Sequence, residues 1–357
     1  SGVSLEKCQE ICLAEGDCEG VVFGSGNCYG KKDIHTSKCQ KGGGFRTEIL
    51  RNRPWGKCVM MGDPHVVTFD RPYGPTVDLL VPGEYVMVES GDLSIHGRFG
   101  YTRRFPTASS TVGLAVSRHP SGGLVKGHTL VVEYVGPASG HAGFRVTLDG
   151  SEILGEKGRD RDAHVSADGV VHAKYDLMDP SNFHREARHT IGASAGSLLP
   201  SYLFNLGPDL IIYMLLGPDN MNAIIETRKT AGLQDGYCGN FNCNPADDDR
   251  PSGELAAKLQ PGDSLFRFGS KLPVPKYMTN AEGKVHTVKD CPPIILNEAS
   301  KRCGIILSEA EQAACIFDVC ASRDANVAGG EVAVAALGQE LDHDVDNGQP
   351  FYQPRVR

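Results

Sequence analysis

Over most of the chain, short apolar runs alternate with clusters of Gly, Pro, Asn and Asp. Such spacing predicts strands joined by turns. The runs are Val66–Phe69, Glu84–Glu89, Leu93–Phe99, Thr111–Val116, Thr129–Val135, Phe144–Leu148, Val170–Tyr175, Tyr202–Leu206, Leu210–Leu216 and Asn222–Thr227. Leu93–Phe99 alternates apolar and polar residues, the pattern of a half-buried strand. Leu210–Leu216 is apolar throughout, which suits a buried strand and falls short of membrane-spanning length. Together these runs predict an antiparallel β-sandwich or barrel over residues 55–250. The charged stretch Gly155–Asp162 predicts an exposed hairpin tip or loop.

Both ends read differently. Ser4 suits a helix cap, and the helix it opens places Cys8 and Cys12 one turn apart. Val21-Val22-Phe23 then predicts a short strand, followed by a turn at Gly24–Asn27. Near the other end, Ser308 with Glu311 three residues on predicts a helix running through Cys320. Gly329-Gly330 predicts a break before a second helix, Glu331–Leu341. Residues 1–50 are therefore expected as a small α+β unit, 251–289 as a linker, 290–340 as a helical module and 341–357 as an extended tail. Asp342–Gly348 imitates the start of an EF-hand loop. Its Gly comes one position late and the twelfth position is not acidic, so it reads as polar tail.

Composition narrows the setting. The 357 residues suit two or three domains, and 43 glycines suit a turn-rich β protein. A net charge of −8 with no basic block argues against nucleic acid as a partner. Twelve cysteines fall in clusters: Cys8, Cys12, Cys18, Cys28 and Cys39; Cys58; Cys238 and Cys243; Cys291, Cys303, Cys315 and Cys320. An even, clustered set predicts disulfides and an extracellular or cell-surface location. No C-x2-C pair supports zinc. The opening Ser1-Gly2-Val3 has no apolar core segment, which predicts a mature product or a fragment. No N-glycosylation sequon occurs.

Candidate chemistry concentrates in Cys238–Asp249. This segment holds Asn240, Asn242, Asn244, Asp247, Asp248 and Asp249 with no helical or strand period. Dense oxygen donors of this kind suit a Ca2+ loop, although the same residues also suit a solvated turn. The histidines, His96, His119 and His184 among them, show no ligand spacing. No nucleophile elbow, dinucleotide fingerprint or P-loop is present.

Two motifs carry a resemblance. Gly62-Asp63-Pro64-His65-Val66-Val67-Thr68-Phe69-Asp70 lies just after Cys58, and Gly236-Tyr237-Cys238-Gly239-Asn240-Phe241-Asn242 precedes Asp247-Asp248. Together they resemble a von Willebrand factor type D domain over residues 56–250. The Cys8-x3-Cys12 helix, Cys18, the Gly20–Phe23 strand and Cys28 resemble a PAN/apple domain. Cys303 and Cys315-x4-Cys320 resemble a reduced cysteine-eight module, since only four cysteines are present.

The type D resemblance implies calcium held by Asp70, Asn240, Asn242, Asp247 and Asp248, with a backbone carbonyl from Asn244. Cys243 stands where that family usually has Gly. The apple resemblance implies the pairs Cys8–Cys28 and Cys12–Cys18. In some type D proteins the Asp–Pro bond of Gly-Asp-Pro-His cleaves itself. Here that would involve Asp63 and Pro64, with His65 moving a proton. A plain alternative has Pro64 shaping a strand entry and Asp63 capping a turn. These likenesses imply a secreted structural or adhesive protein that assembles with copies of itself, other matrix or filament proteins, or glycans. An enzyme of the type D luciferase kind and a small-ligand carrier are the alternatives.

Overall fold

A computed structural model of the chain describes residues 4–14, 20–31, 46–49, 55–62, 64–69, 77–78, 82–91, 93–105, 109–118, 127–138, 140–155, 162–178, 198–207, 209–228, 234–240, 248, 259, 263–266, 291–306 and 309–346. The described residues are mainly β, with antiparallel sheets and a few small helices. At the N-terminal end, α1 (Leu5–Ala14) packs on a three-stranded sheet. Its strands are β1 (Gly20–Gly24), β2 (Asn27–Lys31) and β3 (Arg46–Ile49), with β1 central. Cys8, Cys12 and Val21 form its small core, and the Cys8–Cys28 disulfide joins helix to sheet. This is the pair the apple resemblance implies. Cys12 is disulfide-bonded too. Cys18 and Cys39 lie outside the described residues.

Two larger antiparallel sheets follow. The strands in chain order are β4 (Trp55–Met61), β5 (His65–Val67), β6 (Val77–Asp78), β7 (Gly83–Glu89), β8 (Leu93–Gly100) and β9 (Ser110–Arg118). Next come β10 (His128–Tyr134), β11 (Phe144–Leu148), β12 (Ser151–Leu154), β13 (Asp162–Val165) and β14 (Val171–Met178). The last are β15 (Leu199–Leu206), β16 (Leu210–Leu216) and β17 (Met221–Arg228). One sheet runs β12-β11-β10-β9-β8-β7 and the other β13-β14-β15-β16-β17-β4-β5-β6. Residues of both sheets share one apolar core, among them Phe99, Leu114, Phe144, Phe204, Ile212 and Ile225.

Three helices cover the far side of the eight-stranded sheet: α2 (Pro293–Cys303), α3 (Glu309–Ser322) and α4 (Val327–Asp346). The consequence shows along β16, where every residue is buried. Leu210, Ile212, Met214 and Leu216 enter the core between the sheets, while Ile211, Tyr213 and Leu215 pack in the cluster with the helices. Successive side chains point to opposite faces, so an unbroken apolar run is the signature of a strand buried twice. In β4, Cys58 and Met60 face one core while Val59 and Met61 face the other. Each large apolar side chain buried this way contributes about 1.5–3 kcal/mol.

Several expectations are corrected. Leu93–Phe99 is not half-buried: nearly all of β8 is shielded. A cover segment reaches across its outer face. The Leu259 amide donates to the Glu84 carbonyl (2.9 Å), the Leu265 amide to His96 Nδ1 (3.1 Å), and Phe266 lies 4.1 Å from the Arg98 guanidinium. Burial pushes His96 down to about 4, against a smaller opposing pull from Glu84, so it stays neutral and can accept this bond. Gly329-Gly330 does not break the helix, because α4 runs straight through it. The pair falls in the first turn of α4, where glycine costs less than the roughly 1 kcal/mol of a helix interior. Here Val327, Ala328, Val332, Ala333 and Leu337 outweigh that by packing in the sheet–helix core. Residues 341–346, expected as extended tail, belong to α4, and the rest of that expected tail lies outside the described residues. Asp162 belongs to β13, not to a loop tip, and β4, β12 and α2 escaped the sequence reading.

One contact ties the two large sheets at their turns. His128, at the start of β10, places Nδ1 2.9 Å from Asp149 and Nε2 2.7 Å from Asp168. Asp149 sits in the β11–β12 turn and Asp168 in the β13–β14 turn. Two carboxylate acceptors require both ring nitrogens to donate, which only the imidazolium does. Burial alone would lower the His128 pKa, but the bonds to Asp168 and Asp149 outweigh it and raise it. A raised histidine contributes stability in full below its unfolded pKa of about 6.5 and loses it as pH climbs through the folded value. For this solvent-screened clamp we expect His128→Gln to lower the melting temperature by about 2–4 °C at pH 6, with a smaller loss at pH 9. Equal losses at both pH values in thermal melts would remove the clamp.

Candidate functional site

The two motifs meet across one covalent and one backbone link. A disulfide joins Cys58 on β4 to Cys238, across 180 positions of sequence. The Phe69 amide, at the end of the first motif, donates to the Cys238 carbonyl (2.9 Å). Further backbone bonds fasten the second motif to β7: Tyr237 to Val86 (3.0 Å) and Cys238 to Met87 (2.9 Å).

Asp248 closes the node. It is 2% exposed, with Oδ2 accepting from Thr68 Oγ1 at 2.6 Å and Oδ1 accepting from the Asn240 amide at 3.3 Å. Gly239 makes room for this carboxyl. Its φ is +88°, and a Cβ there would stand 2.5 Å from Asp248 Oδ1, so both conformation and space exclude other residues. Asn240 Oδ1 is buried and accepts no hydrogen bond. A buried oxygen without a donor is costly unless something electropositive meets it. An amide oxygen and a carboxylate oxygen are donors of the kind a hard cation takes.

Of the sequence-predicted ligands, Asn240 and Asp248 are brought together, through the Asn240 backbone amide, and Thr68 holds Asp248 from the other side. Asp70, Asn242, Asn244 and Asp247 lie outside the described residues, as does Cys243. Among the described residues, no three His, Cys, Asp or Glu side chains group as a metal site. Thr68 was not singled out from sequence, although it stands two residues before Asp70 in the first motif.

The Gly62–His65 hairpin forms a second polar node, against the helices. Pro64 lies in the turn between β4 and β5, and His65 pairs with Met61 in the ladder. Asp63 lies outside the described residues. The Gly62 amide donates to Asn222 Oδ1 on β17 (3.0 Å). Asn222 Nδ2 in turn donates to Glu331 Oε1 on α4 (3.2 Å). His65 is buried, with Nε2 3.6 Å from Asp318 Oδ1 on α3, and meets the Phe317 ring edge-on at 5.6 Å. A Cβ on Gly62 would collide with the Asp318 carboxyl, so the hairpin backbone and α3 are in direct contact. Sequence reading missed Asn222, Asp318 and Glu331. The available signal was two acids set within apolar helical runs, Ile316-Phe317-Asp318-Val319 and Glu331-Val332-Ala333.

Thr68→Val keeps the shape of the first node and removes its donor to Asp248. Leaving that buried carboxylate short of a partner costs about 1–3 kcal/mol. A urea midpoint unchanged by the substitution would show that the bond holds nothing. Compared with known proteins, the sequence matches no family model and no curated protein.

Proposed function

We propose that the chain is an extracellular structural module of a matrix, filament or cell-surface layer, with a type D-like β unit braced by Ca2+. The observation that carries this is the node joining the two motifs. A disulfide, a backbone bond and the buried Thr68–Asp248–Asn240 cluster tie segments far apart in sequence, and an oxygen donor is left over. Four disulfides among the described residues, with no helix there long and apolar enough to cross a membrane, are compatible with a secreted protein. Asp70, Asn240, Asn242, Asp247 and Asp248, with the Asn244 carbonyl, would hold the ion. When bound it supplies charge neutralisation and a rigid link between the ends of the β unit.

Calcium at a hundredfold excess over its dissociation constant adds about 2.7 kcal/mol to the folded state. The melting temperature of the chain should therefore rise with Ca2+ and fall with chelator, and Asp248→Ala should abolish the difference. A melt indifferent to Ca2+ sinks the metal brace. Native mass spectrometry with and without chelator then tests assembly. Calcium-dependent oligomers are expected, and a monomer under both conditions overturns the assembly reading.

The Asp63–Pro64 bond is proposed to stay intact, with Pro64 shaping the turn. Scission would need the Asp63 carboxylate to attack its own carbonyl carbon. The C–N bond would then break, with a proton passing to the Pro64 nitrogen and a cyclic anhydride left behind. Incubation at pH 5 followed by a reducing gel should show one band, and a fragment beginning at Pro64 would reverse this assignment.

A further inference from the structure

Glu331 is buried at the junction of sheet and helices, at 1% exposed, with Asp318 beside it at 0%. They come from different helices, α4 and α3, and converge on the β4–β5 hairpin. Asn222 on β17 donates to Glu331, and His65 on β5 faces Asp318. Arg104, in the segment after β8, contributes its charge from further off. That arginine is itself engaged by Asp324 at 3.3 Å and, through its amide, by Asp219 at 3.1 Å. Glu331 Oε2 accepts no hydrogen bond. Two adjacent buried carboxylates cannot both carry charge cheaply.

Covalent links do not hold this junction. Cys291–Cys320 and Cys303–Cys315 both close within the helical module, and among the described residues no disulfide crosses to the sheet. The docking of α3 and α4 therefore rests on the apolar cluster of Val59, Met61, Ile211, Tyr213, Val319, Val332 and their neighbours, plus this polar node.

We propose that Glu331 is a proton-operated latch: neutral, it lets the helical module seat on the sheet, and ionised, it weakens that seat by adding a buried charge beside Asp318, a cost that the Asn222 bond offsets only in part. Burial, then the charge of Asp318, raises the Glu331 pKa well above the ordinary carboxyl range. The sign follows. Below about pH 4.5 the carboxyl is protonated whether the module is docked or lifted, and docking is at full strength. As pH rises toward the docked-state pKa, lifting releases one proton, so the docking equilibrium weakens about tenfold per pH unit. Above that pKa the loss is complete and constant. The module is thus seated most firmly in mildly acidic surroundings.

Hydrogen exchange of the intact chain, normalised for the intrinsic pH dependence of exchange, tests this. Amides of α3 and α4 should lose protection about tenfold per pH unit above pH 5, and Glu331→Gln should hold acid-level protection across the range. The lone tryptophan, Trp55, belongs to the same apolar cluster, and its emission should redden with pH in the parent only. Reading these elements separates the latch from His128 and His96, which act at the sheet turns and the outer face. Asp318→Asn should end the fall at lower pH, by removing the neighbouring charge. Protection that is flat with pH in the parent overturns the latch. So does a fall of the same size in both parent and Glu331→Gln. The parent titration and Asp318→Asn decide it should Glu331→Gln not fold.

Discussion

Burial of the eight-stranded sheet on both faces is the constraint from which the rest follows. A sheet with one wet face can place polar residues at every second position. Along β16, β17 and β4 that freedom is gone, because the second sheet covers one side and the helices the other. Any polar side chain left on these strands needs a partner inside the protein. Asn222 is such a residue, and it is satisfied by bridging the Gly62 amide and Glu331. The polar node is thus a product of the architecture: a hairpin turn and two helices converge where a central strand carries an amide.

The two nodes differ in what holds them. The Cys58–Cys238 bond fixes the motif-joining node covalently, and by the chain-entropy account a loop of this length gives a large stabilisation, on the order of 5 kcal/mol. Calcium there would add rigidity to a junction already closed. The sheet–helix node has no such bond. Its strength is a difference between apolar burial and the cost of hiding two acids, and a protonation step moves a difference of that kind far more than it moves a disulfide.

How much was legible in the sequence depended on the range of the forces. Strand positions from β7 to β17 were readable where the period was local, as in Phe144–Leu148 and Leu210–Leu216. The β4 strand was missed because Trp55-Gly56-Lys57-Cys58 mixes small, charged and apolar residues, and its burial comes from partners at both ends of the chain. The outer face of β8 gave the wrong expectation for the same reason. Its polar positions are covered by a segment more than 160 residues away, with His96 held neutral to accept its amide. Asp248 and Asn240 were singled out from the motif, whereas Thr68, which grips Asp248, carries no chemical mark of its own.

Gly329-Gly330 shows where local reasoning fails most informatively. Helix propensity argues for a stop, yet the pair falls in the first turn of α4, which starts at Val327. Propensity is overridden when a helix finds a large apolar partner. Val327, Ala328, Val332 and Ala333 all lie in the sheet–helix cluster, so packing fixes the start of the helix at the pair. Glu331 sits immediately after the glycines and next to Asn222, which lies 3.7 Å from where a Gly330 Cβ would stand. That is ordinary van der Waals contact, so α4 lies directly against β17 at this point. The close approach places Glu331 on Asn222, and this acid is the group through which solution pH acts on the docked module.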